Sequence, residues 1–166
     1  MPGLSDAEIE RVELLFSFRF PDDLRRLLQS SLPGGGNWPD WRHAETCREL
    51  VDWPISGIEF DIEHDAFWLP EFGVKPDLIA DAKRVARAHL SQAPALIPVY
   101  GHRYTLCGVC RSASSPVLSV NQSDIIPYGF DLNDWLSIEF GDTPHHSELP
   151  AEVDLGIWER VMMCDR

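Results

Sequence analysis

Apolar positions along this chain first repeat at helical spacing. Ile9, Val12 and Phe16 fall on one face. Ser5 and Glu8 are placed to satisfy each other's orphan backbone N–H groups as a capping box, with Leu4 and Ile9 flanking them as a hydrophobic staple. A second helix is expected from Pro21, whose fixed φ suits a first helical position. Asp22 and Asp23 complement its dipole, and Leu24, Leu27 and Leu28 form its buried stripe. Pro33-Gly34-Gly35-Gly36 ends it; no Lys-Ser/Thr follows, so the glycines read as a connection, not a phosphate loop. Residues 37–56 carry Trp38, Trp41 and Trp53 and predict a loop with a short helix near 44–52.

From Ile58 to Asp65 the pattern changes. Ile58, Phe60 and Ile62 alternate with Glu59, Asp61, Glu63 and Asp65, which argues a strand. Four like charges on one strand face repel, so a short helical turn is the alternative. A long helix is then expected from Pro76 to about Gln92. Ile79, Ala82, Val85, Ala86 and Leu90 make its core face, with Lys83, Arg84 and Arg87 as a basic patch. Strands follow at 96–100, 102–106 and 116–120. Asp131 caps a helix carrying Leu132, Trp135, Leu136 and Phe140. Residues 141–153 read as a linker, and a last helix near 154–163 presents Ile157, Trp158, Val161 and Met162. Helices in front, strands in the middle and helices behind predict an α+β domain with a mainly antiparallel sheet flanked by helices. It would span 1–140, with segment 154–166 packing on the same domain.

Composition narrows the function classes. A chain of 166 residues is long enough to bury one core without staples. Fourteen Lys+Arg against 27 Asp+Glu leave a formal charge of −13, which repels phosphate backbones and anionic lipid. Direct nucleic-acid and membrane partners are therefore not expected, whereas a basic protein partner is favoured. The acidic, polar start MPGLSDAEIERVE is not a signal peptide, and no apolar run reaches the ~18–20 residues of a membrane span, so the default is a cytoplasmic protein.

Candidate chemistry concentrates in Ile97–Cys110, IPVYGHRYTLCGVC. Structural zinc needs four ligands, and Cys107 and Cys110 form one pair without a second; His102 or His145 and His146 would have to complete it. A redox pair normally opens a helix, while Arg111–Ser115 read as loop. Two bystander cysteines are the favoured reading. His102 and Arg103, adjacent on a strand, point to opposite faces and do not make a ready site. The acids of 59–65 lack the spacing of a calcium loop. No nucleophile elbow, zinc-protease helix, dinucleotide fingerprint or phosphate loop occurs. No enzyme activity, metal or cofactor is expected.

Leu96-Ile97-Pro98-Val99-Tyr100-Gly101-His102-Arg103-Tyr104, then Pro116–Val120, Asp124-Ile125-Ile126, Tyr128-Gly129 and Glu139-Phe140, follow an N-terminal Phe18–Leu24 with Leu27-Leu28 and an intervening Phe67-Trp68, Phe72-Gly73 and Lys75-Pro76. In this order they resemble the SUKH superfamily of bacterial immunity proteins and fungal cell-wall-synthesis regulators. Ser115 stands where an Asn often precedes Pro-Val, and Pro127 where an aromatic often precedes Tyr-Gly; Pro127 marks that strand as an edge. The resemblance implies an α+β fold and binding without catalysis, most simply an immunity protein that neutralises a toxin domain, often a nuclease. An intracellular regulatory scaffold of the same fold is one alternative, and a metal-dependent enzyme using His102, Cys107 and Cys110 is another. For a partner surface, the sequence offers Glu59, Asp61, Glu63 and Asp65 with Trp38 and Trp41, aromatic anchors within charge.

Overall fold

The structure, a computed structural model, describes residues 1–107, 115–146, 148, 149 and 153–164. Helix α1 (Asp6–Phe16) starts as its sequence predicts: Ser5 N donates to Glu8 Oε2 at 2.8 Å and Glu8 N donates to Ser5 Oγ at 3.3 Å. It ends where Ser17 turns left-handed, with φ 57°. Helix α2 (Asp22–Ser30) begins one residue after the expected start, with Pro21 as its flanking residue; Leu24 and Leu28 are buried.

A 3-10 segment (Trp41–Cys47) runs directly into α3 (Arg48–His64). This corrects the strand reading of 58–65 and extends the helix expected near 44–52. The alternation was a coincidence of two helical faces. Ile58 and Ile62 lie four residues apart and point into the core together, whereas Phe60, 200° around the helix from Ile58, points to solvent. Helix α4 (Ile79–Leu90) starts three residues later than Pro76, with no side chain capping it. Ala82, Ala86 and Leu90 are its buried positions; Ile79 is exposed.

Strands β1 (Leu96–Tyr100), β2 (Arg103–Leu106), β3 (Val117–Asn121) and β4 (Asp124–Gly129) pair antiparallel in the order β1-β2-β3-β4. His102 belongs to the β1–β2 turn, not to the strand. Pro127 falls on an edge strand, where the missing N–H costs least. Both faces of the sheet are covered. Ile97, Val99 and Val117 pack with α1, α2 and α5 (Leu132–Phe140), while Leu96, Tyr104, Leu106, Leu118 and Val120 pack with α3, α4 and α6 (Ile157–Met162). Two buried faces explain why LIPVY is a continuous apolar run instead of an alternating one. The arrangement is an α+β domain with helices flanking an antiparallel sheet. Asp131 caps α5 by accepting from Asp134 N at 2.8 Å, and Trp158 of α6 donates its indole N–H to Pro94 O at 2.8 Å. Among the described residues no helix is long and apolar enough to cross a membrane.

One polar contact ties α3 to the sheet. Pro54 lies inside α3 and has no N–H to give to the carbonyl four residues back, that of Leu50. The Tyr104 hydroxyl donates to this oxygen instead, at 2.9 Å, and burial raises the phenol's pKa well above its ordinary value. Tyr104→Phe should therefore cost about 1–3 kcal/mol, the penalty for an unsatisfied carbonyl. In a Pro54→Ala background an N–H is restored to Leu50 O, and the same substitution should cost clearly less. A double-mutant cycle by urea unfolding reads the difference. Additive costs within ~0.5 kcal/mol would show that the hydroxyl does not replace the proline's missing donor.

Candidate functional site

Helix α3 carries most of the residues singled out for a partner surface, and its 3.6-residue period separates them. Glu59 and Glu63 face α4. Arg87 donates from Nε to Glu59 Oε1 at 2.6 Å and from Nη2 to Glu59 Oε2 at 2.8 Å, and also grips Asp52 at 2.6 and 3.1 Å. Those bonds, to Glu59 first and then Asp52, raise the pKa of the guanidinium. Lys83 pairs with Glu63, whose carboxyl that hydrogen bond holds below its ordinary range. Arg84 pairs with Asp81 at 2.6 Å. The basic patch expected on α4 is therefore consumed within the molecule.

Asp61 does not meet solvent with its neighbours: it is 2% exposed and accepts from Ser123 N at 2.8 Å through Oδ2. Asp65, at the end of α3, is exposed. Trp41 is also a correction. At 1% exposure it lies in the core, edge-on to Phe18 and Phe20 with ring centroids 6.1 and 5.2 Å away. Trp38 is half-buried against Tyr100, Trp135 and Phe140. The six residues do not form one surface.

What sequence reasoning missed lies on the same helix. Trp53 and Phe60 are 43% and 47% exposed and sit two turns apart on one face, with Leu50 one turn before them. Phe60 also packs its ring on His64, centroids 4.2 Å apart. Glu49 adjoins this stripe, and the paired acids Asp52, Glu59 and Glu63 line the next face of the helix. A helical reading of 48–64 finds it at once, because Ile58 and Ile62 then define the core and Phe60 is left outside.

The described residues named for a metal site lie apart. Cys107 is half-buried at the end of β2, where its sulfur accepts from Arg19 N at 3.2 Å; Cys110 lies outside the described residues. His102 is exposed at the opposite end of β2, five residues and about 16 Å along an extended chain from Cys107. The two cannot ligate one ion. Partial burial, and then the Arg103 charge, lower the His102 pKa, with Glu139 acting against them. Arg103 is itself fixed by Glu139 at 2.9 Å, by Ser119 Oγ at 2.8 Å and by the Tyr128 ring at 3.7 Å. His145 and His146 stack on Tyr128 and Phe130, and His146 Nε2 lies 2.9 Å from Asp134 Oδ2. No group of three or more His, Cys, Asp or Glu able to hold a metal occurs among the described residues.

No family model, curated protein or solved structure matches the chain.

The geometry offers contact chemistry. Two large aromatic rings lie half-exposed on a rigid, acidic helix that is anchored by Arg87 to α4 and by Tyr104 to the sheet. Such rings carry much apolar area at low conformational cost, the composition of an interface anchor.

Proposed function

We propose that this chain is a non-catalytic protein-binding module, an immunity protein that neutralises a basic toxin domain by direct contact. The observation that carries this reading is the exposed Trp53–Phe60 stripe on acidic α3. Two further facts support it. Lys83, Arg84 and Arg87 are spent on internal pairs, so the α3–α4 side offers no free cation from them to oppose a basic partner. The formal charge of −13 favours encounter with a positively charged surface and gives association a steep salt dependence. The order of SUKH-like motifs supplies the immunity class; the aromatic stripe supplies the contact.

Calorimetric titration against the purified basic toxin domain encoded beside the gene tests the reading. Binding should weaken as salt rises. Trp53→Ala and Phe60→Ala should each lower affinity about 30-fold, as loss of an interface anchor does, with only a small shift of the unfolding midpoint. Absence of binding even at low salt, or a double variant that binds like the wild type, would overturn it.

A further inference from the structure

The last turn of α3 opens onto a second feature that the protein-binding reading does not use. Asp61 O accepts from Asp65 N at 2.9 Å and from Phe67 N at 3.2 Å, while Ala66, at φ 57°, reverses the chain. This turn borders a cleft of about 530 Å³ lined by Asp61, Asp65, Phe67, Trp68, Ser123 and Cys164. Asp61 is the most buried of the acids singled out on α3. Its Oδ2 is used by Ser123 N, but its Oδ1, also buried, has no hydrogen-bond partner among the described residues. A buried carboxylate oxygen left unpaired carries a full desolvation penalty, which a donor entering the cleft would remove.

We propose that this cleft binds a primary ammonium group on a short alkyl stem, with Asp61 as its buried counter-charge. The surroundings select that chemistry. The two carboxylates stand at the negative end of the α3 dipole, which rejects anions and favours a cation. Hard metal ions want six or more oxygen ligands, and among the described residues the wall supplies two carboxylates and a hydroxyl beside two aromatic rings. Rings suit an organic cation, whose charge meets their π-faces and whose stem meets their apolar area. Lys75 Nζ already lies 5.8 Å over the Trp68 ring and is not paired with either carboxylate. Asp65 likewise has no ion-pair partner among the described residues.

The isolated 166-residue chain tests this without any protein partner, so its outcome is separate from that of the toxin-binding reading. NMR titration with n-butylammonium should shift the Ser123 amide and the Trp68 indole N–H saturably, at a millimolar midpoint. Asp61→Asn keeps an oxygen for Ser123 N and so should fold, yet weaken binding by about 10-fold or more, and Asp65→Asn by less. n-Pentanol, of matched length and without charge, should not compete. A second arm uses the peptide acetyl-Gly-Lys-Gly-amide. Binding by the peptide as tightly as by the amine assigns the pocket to a lysine side chain, and binding by the amine alone assigns it to a free small amine. No saturable shift with either probe, an Asp61→Asn protein that binds like the wild type, or equal binding of pentanol would overturn the proposal.

Discussion

Trp41→Ala should destabilise the protein by about 3–5 kcal/mol and leave the partner-facing surface of α3 unchanged. The indole is 1% exposed and sits among Phe16, Phe18 and Phe20, each meeting it edge-on at centroid distances of 5.2–6.2 Å. Truncation removes the transfer energy of the ring and leaves a cavity. The chain around it is pinned by α1 on one side and by the start of α3 on the other, so the void cannot readily collapse. Urea unfolding should show a lower midpoint with an unchanged slope. Trp53→Ala is the paired control: the same residue type removed from a half-exposed site should shift the midpoint by much less. If the two substitutions cost the same, the assignment of Trp41 to the core and Trp53 to the surface is wrong.

That contrast marks where the sequence was legible. The start of α1 was readable because its signal is local: a serine, a glutamate three residues on, and a flanking apolar pair close the first turn without help from the rest of the chain. The same is true of Asp131 before α5 and of the β1–β2 hairpin, where left-handed Gly101 (φ 52°) makes the turn. α3 was not readable in the same way. Pro54 in its middle argues against a helix, and what permits it is a hydroxyl from residue 104, fifty residues away in sequence. With the helix hidden, 58–65 shows a period of two, which puts the acids on one face of a strand. Helical geometry sends Glu59 and Glu63 to α4, Asp61 inward and Phe60 outward. Trp38 and Trp41 failed as a surface for a related reason: their partners, Tyr100 and Trp135 for one and Phe18 and Phe20 for the other, are distant in sequence or belong to a different element.

The docking of α3 on the β3–β4 turn rests on Gly57, and substitution there reverses the sign that helix propensity alone would give. Gly57 lies mid-helix, where Gly→Ala usually stabilises by about 1 kcal/mol. Here a Cβ would stand 2.9 Å from Gln122 Cα and 3.3 Å from Gln122 N, both backbone atoms that cannot swing aside. Gln122 is itself held left-handed, at φ 59°, and the next residue, Ser123, is tied by its N–H to Asp61, one turn along α3. Any displacement of the turn therefore pulls on a buried carboxylate. Gly57→Ala should destabilise, and Gly57→Val should cost about 3 kcal/mol or more, overpacking adding to the strain on the Asp61 contact. Amide exchange at Ser123 should accelerate in the valine variant before global unfolding, because the hairpin turn is the part that must lift. A Gly57→Ala protein more stable than the wild type, with Ser123 exchange unchanged, would show that helix and turn do not approach this closely.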